Sequence, residues 1–184
     1  YPPVSCWMMR VVLDIGTTRI RGARVDPSGR LEDVMVLDAP TLTVEDGRAE
    51  QPLDDVVRAV EDVLAEVTAG RPAEVGMAVQ RGTTVLVDDV GRPLGELISW
   101  RDRRPGGVAD WMTSHEPVRW GRATRTASLA SLLAHRWTGV WAEHASTRSP
   151  VARGHISLDA AAPLAMRRGG QLWMCGGDKN CELV

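Results

Sequence analysis

Over residues 11–37 the chain alternates short apolar runs with turn residues, and after residue 53 the period changes. Residues 11–15 (VVLDI), 20–25 (IRGARV) and 34–37 (VMVL) read as three short strands. Between them lie Gly16-Thr17-Thr18 and Asp26-Pro27-Ser28-Gly29, the second a strong turn signal. Connections this short are hairpins, so the three strands are predicted to be antiparallel neighbours. From Leu53 to Val67, apolar residues recur on one helical face (Val56, Val60, Val63) while Asp54, Asp55, Arg58 and Glu61 turn away. Acids in the first turn and Gly70 after the last fit the ends of a helix.

Residues 75–79 and 84–87 return to strand, separated by Gln80-Arg81-Gly82-Thr83, and residues 95–100 predict a further one. Beyond Arg104 the pattern weakens: 127–135 reads as helix, 146–170 has no sustained period, and 171–175 reads as a buried strand closed by Gly176-Gly177-Asp178. The order β-β-β-α-β-β predicts an α/β fold, a mixed sheet with flanking helices.

Composition narrows the partners. The chain has 184 residues, and its 22 Lys+Arg nearly balance 24 Asp+Glu for a formal net charge of -2. No basic face is implied, so neither nucleic acid nor a membrane is the expected partner. No apolar run approaches the roughly 20 residues of a spanning helix. Three cysteines (Cys6, Cys175, Cys181) without metal-ligand spacing predict a reduced, cytoplasmic setting. Residues 1–9 lack the basic start and apolar centre of a signal peptide. They are set aside as leader residue or residue from an upstream reading frame, with the fold starting at residue 10.

The stretch Asp14-Ile15-Gly16-Thr17-Thr18 carries candidate chemistry. A Gly-Thr-Thr turn between strands directs backbone N–H groups and two hydroxyls into one concavity, which suits phosphate oxygens. An aspartate at the strand end is placed to hold Mg²⁺ beside them. The plain alternative is a hairpin with Asp14 solvated.

DIGTTRIRGARVDPSGRL, GRAEQPLDDVVRAVEDVL and MAVQRGTTVLVDDVGRPLGELISWRDRR resemble, in order and spacing, the start of the FGGY family of carbohydrate kinases. LWMCGGDKNCELV resembles that family's Gly-Asp segment. The resemblance runs over residues 10–104, continues in part over 132–159, and is local at 176–182. It implies a ribonuclease-H-like (actin-like ATPase) domain and ATP- and Mg²⁺-dependent phosphorylation of a sugar or polyol hydroxyl. It also implies roles. Asp14, Gly16, Thr17 and Thr18 match the phosphate and Mg²⁺ turn, Asp14 being the metal residue. Gln80 and Arg81 match a loop that reaches substrate hydroxyls, Trp100 and Asp102 match a segment lining the sugar pocket, and Asp178 matches the catalytic base. Each has a plain alternative: Arg81 as a solvated loop residue, Trp100 as core, Asp102 paired with Arg103 or Arg104, and Asp178 as a helix cap.

Three departures from the family's pattern stand out. Glycerol kinases carry an acidic residue where this chain has Gly82, which argues against glycerol as substrate. The segments near 105–131 and 160–175 are shortened. No residues match the family's second, nucleotide-holding lobe. Residues 10–184 are thus expected to form the family's N-terminal, substrate-binding lobe, and a homodimer is compatible with that reading. The alternative is a non-catalytic small-molecule binding or interaction module that keeps the fold.

Overall fold

The structure, a computed structural model, describes residues 8–148, 151 and 162–177. The first three strands are β1 (Met9–Ile15), β2 (Arg19–Val25) and β3 (Leu31–Asp38). They pair antiparallel in sequence order, as their short turns require. Met9 belongs to the fold, since it opposes Ala73, so the boundary expected at residue 10 moves back by one. A small hairpin follows, β4 (Thr43–Glu45) and β5 (Arg48–Gln51), then helix α1 (Leu53–Thr68) and strand β6 (Ala73–Val79).

α1 buries Val56, Val60, Val63 and Val67 and keeps Asp54 and Asp55 in its first turn. Ala69 takes the left-handed cap position expected of Gly70, and the N–H groups of Ala69 and Gly70 close on Glu66 and Ala65 carbonyls. β6 then lies parallel to β1, in register from Met9↔Ala73 to Ile15↔Val79.

The chain next leaves this sheet. β7 (Thr84–Val87), β8 (Leu97–Ile98) and β9 (Arg125–Ser128) join β4 and β5 in a second, antiparallel sheet of order β4-β5-β8-β7-β9. The mixed sheet expected from the element order is the first one, and the second, antiparallel sheet stands beside it. The predicted strand at 95–100 shortens to β8, and the predicted helix at 127–135 begins later. Ser128 ends β9 and caps α4 (Leu129–Thr138), its hydroxyl accepting from the Ser131 N–H at 3.1 Å. Two helices had no clear period in the sequence, α2 (Gly107–His115) and α3 (Pro117–Arg122). Their buried contribution is slight: Met112 for α2 and no residue for α3.

β10 (Leu164–Ala165) and β11 (Gly170–Gly177) complete the first sheet, whose order is β10-β11-β6-β1-β2-β3. β11 runs parallel to β6. α1 lies over β1–β3 and α4 over β6 and β11, and one core joins them through Val11, Leu13, Ile15, Val75, Met77 and Leu172. At Gly22 the helix sits so close that a methyl group would lie 2.6 Å from Val63.

A buried charge cluster fastens α2 to the second sheet. The Arg104 guanidinium, with no exposed side-chain surface, donates to Asp102 at 2.7 and 2.9 Å and to Glu50 at 2.9 Å. It also lies 4.8 Å from the Trp111 ring, with Arg48 5.0 Å from the same ring. Burial pushes the Asp102 carboxyl up, but hydrogen bonds from Arg104 and from the Ala49 N–H outweigh it and leave the pKa lowered.

Arg104→Ala leaves Asp102 buried without its cation and is expected to cost about 3–5 kcal/mol, read from urea unfolding. A loss below about 1 kcal/mol is the behaviour of an exposed pair and would contradict this placement. The acid dependence has a definite sign. A lowered pKa in the folded state gives a stabilisation complete above the ordinary value of 3.8 and lost as pH falls through the depressed one.

Candidate functional site

The β1–β2 turn, the ends of β5 and β6 and the segment after β8 meet at one edge of the first sheet. Thr17 sits at their centre. Its hydroxyl donates to the Gln80 side-chain oxygen at 2.5 Å and accepts from the Trp100 indole N–H at 3.0 Å. The Gln80 amide N–H donates to Gln51 Oε1 at 3.4 Å, and the Gln51 amide returns to the Thr17 carbonyl at 3.1 Å. A second bond from Gln51 goes to the Pro40 carbonyl at 2.8 Å. Thr17, Gln80 and Gln51 thus close a ring of hydrogen bonds. Both glutamines are buried, at 3% and 1% exposure, while Trp100 is 47% exposed.

This arrangement brings together Thr17, Gln80 and Trp100, three of the residues singled out from the sequence. It corrects one expectation: the Thr17 hydroxyl is committed to protein partners rather than turned toward open space. The Gly16 N–H is also taken, by the Arg19 carbonyl at 2.9 Å. Among the described residues, no group accepts from the Thr17 and Thr18 N–H groups, which are the donors the turn retains. Asp14, at the end of β1, faces its neighbour strand and accepts from Arg21 at 2.7 Å, with 44% of its side chain exposed.

Arg81 follows Gln80 on an exposed turn, without an ion pair among the described residues. Gly82 has φ +72°, a left-handed conformation that side chains rarely adopt. The backbone at this position therefore disfavours the acidic residue that glycerol kinases carry. Asp102 stays out of the group. Its carboxylate is held by Arg104 and the Ala49 N–H at 2.9 Å, the pairing the sequence offered as the plain alternative. Asp178 lies outside the described residues. The strand leading to it does not: Gly177 opposes Val79, so β11 ends at the same sheet edge. Gly176 there has φ +98°, and a methyl group on it would lie 2.8 Å from the Ser146 hydroxyl.

Gln51 was missed. In the sequence it is one polar residue before Pro52 and the helix, and only the β5–β8 pairing turns it inward. Among the described residues no group of three or more His, Cys, Asp or Glu converges to cage a metal ion. No helix among them is long and apolar enough to cross a membrane.

Thr17→Val keeps the volume but leaves the Gln80 oxygen and the Trp100 N–H unpaired, with an expected loss of about 1–3 kcal/mol. Thr17→Ser keeps the hydroxyl and is expected to lose less. Thermal unfolding of both variants checks this, and equal stability for Val and wild type would deny the ring any energetic weight.

Comparison with known proteins agrees with this architecture. The chain is 32% identical over 139 residues to a glycerol kinase of Gloeobacter violaceus, an alignment covering 68% of this chain and 28% of that enzyme. A glycerol kinase of Allorhizobium ampelinum is 34% identical over 107 residues, 54% of this chain and 22% of the relative. The chain thus spans less than a third of these enzymes. Among solved structures, a carbohydrate kinase from Novosphingobium aromaticivorans superposes with a TM-score of 0.69 at 16% identity, covering 96% of this chain and 50% of that one. A xylulose kinase from Lactobacillus acidophilus gives 0.67 at 14% identity, over 77% of this chain and 35% of that one. These likenesses show the actin-like ATPase fold. Residues 9–115 match the N-terminal domain of the FGGY family of carbohydrate kinases, and the chain belongs to that family.

Proposed function

We propose that this chain is the substrate-binding lobe of an ATP-dependent carbohydrate kinase, acting on a hydroxyl of a polyol or ketose larger than glycerol. The observation that carries the reading is the convergence of Thr17, Gln80 and Trp100 where β1, β6 and β11 all end. The half-exposed Trp100 ring offers an apolar plate for the carbon face of a sugar, and Arg81, exposed on the turn after Gln80 and without an ion pair among the described residues, offers donors for hydroxyl oxygens. Asp102, committed to Arg104, serves by holding the Trp100 segment in place. Gly82 leaves room where glycerol kinases carry an acid, which favours a longer substrate.

The free Thr17 and Thr18 N–H groups suit phosphate oxygens. A Mg²⁺ ion that arrives on nucleotide phosphates needs only one or two carboxylates, and Asp14 fits that role once Arg21 yields it. Bound ATP with its metal supplies the phosphoryl group and neutralises the charge that develops on transfer. The chain's own work is to orient the hydroxyl and, at Asp178, to accept its proton as the oxygen bonds to phosphorus.

Titration of the 184-residue chain with polyols and ketoses is expected to show weak binding that Trp100→Ala or Arg81→Ala each weakens by about 1–3 kcal/mol. Glycerol outbinding every larger sugar would overturn the argument from Gly82. In a protein carrying both lobes, Asp178→Asn is expected to lower kcat by roughly 10²–10⁴-fold with folding intact. Near-normal kcat would assign Asp178 to a cap instead. Unchanged Mg²⁺ dependence in Asp14→Asn would remove Asp14 from the metal role.

A further inference from the structure

At the opposite end of β6 the fold has a second concavity, away from Thr17. A cleft of about 560 Å³ opens between the later turns of α1, the end of α4 and the β10–β11 turn. Its lining is apolar at Leu64, Ala73, Val75 and Met166. Around it stand Arg71, Arg136, Arg167 and Arg168 against a single acid, Glu61. That is a local net charge of +3 on a chain whose formal net charge is -2.

The one acid is already used. Glu61 accepts from Arg136 at 2.7 and 3.0 Å and from the Trp137 indole N–H at 3.2 Å. The Arg136 hydrogen bond holds its carboxyl below the ordinary value. Arg71, Arg167 and Arg168 have no ion pair among the described residues. His135 adds no charge at neutral pH: burial, then Arg167 and Arg125, push its pKa down, and its ring stacks on Trp141 at 4.1 Å. Three arginines from two separate segments therefore line one cleft without an ion pair among the described residues, Arg167 resting its guanidinium against Gly139 at the end of α4 and Arg168 acting on Glu61 only through space.

We infer that this cleft binds a phosphomonoester carried on a small apolar body. A guanidinium fork matches phosphate oxygens bidentately, and three forks offer more donors than the two oxygens of one carboxylate can take. The apolar lining is where the body of the ligand rests, and the volume lies within the roughly 300–1,000 Å³ of small-molecule sites. The site is separate from the Thr17 edge and does not depend on the kinase reading.

Phenyl phosphate is the probe, with inorganic phosphate and phenol as partial ligands, titrated calorimetrically into the 184-residue chain at fixed ionic strength. Saturable binding of phenyl phosphate, tighter than either partial ligand, is expected. The double variant Arg167→Ala/Arg168→Ala is expected to weaken it by roughly tenfold or more, a change of about 1.4 kcal/mol. Both side chains are exposed, so circular dichroism should show the fold retained. Arg71→Glu, on a different wall, is expected to weaken binding as well and does not disturb the β10–β11 turn. Unaltered affinity in these variants, or heat that follows ionic strength alone, would overturn the inference. Inorganic phosphate binding as tightly as phenyl phosphate would overturn the apolar half of it.

Discussion

Parallel pairing of β1 with β6 is the constraint from which the rest of the molecule follows. Parallel neighbours cannot be joined by a tight turn, so everything from β2 to α1 lies inside one long crossover. α1 returns the chain over the sheet and buries its valines against β1 and β2. Because β1, β6 and β11 point the same way, their last residues finish at one edge. The Gln80 N–H closes that edge onto the Ile15 carbonyl at 2.8 Å, one step beyond the last strand pair. Residues 63 positions apart, Thr17 and Gln80, become neighbours by this pairing alone.

What fills the edge is polar, buried and satisfied. A buried side-chain amide left without partners costs about 1–3 kcal/mol, so two glutamines here would be a liability unless each found its match. The ring through Thr17, Gln80 and Gln51 supplies those matches and fixes which way each amide points. A fixed orientation is what a recognition site requires, since donors that must reorient lose part of their gain to ordering. Sequence spacing does not display this logic, because a glutamine reads alike whether solvated or buried.

Much of the fold was legible because periodicity carried it. The alternation in β1 and β2, the turn at Asp26–Gly29 and the valine face of α1 each act locally, and the structure keeps them. The Asp-Ile-Gly-Thr-Thr run lies at the edge where β1, β6 and β11 end. What escaped depends on distant partners. β4 and β5 are too short and polar to show a period, and exist because β5 pairs with β8. α2 buries one residue along its length, Met112, so its apolar face is nearly absent from the sequence. The second sheet was invisible for a related reason: 75–79 and 84–87 are both plain strands, and only the turn between them sends them to different sheets.

The run Trp100-Arg101-Asp102-Arg103-Arg104 shows how one short segment divides its labour. Its first residue faces the site edge, while Asp102 and Arg104 point into the protein toward Glu50 and Trp111. Burying these charges costs several kcal/mol of hydration per ion, and their mutual attraction repays that only with good geometry. An apolar cluster of the same volume would stabilise the domain at least as well. The charges do what apolar groups cannot, because they specify backbone position. Asp102 receives the Ala49 N–H, and its own N–H bonds to the Ser99 carbonyl. Arg103 binds the Gly47 carbonyl through its N–H and the Trp100 carbonyl through its guanidinium. The backbone behind Trp100 is thus held by directional bonds while half its ring stays open. Fixing the backbone that carries this half-exposed tryptophan is what the buried charge cluster contributes.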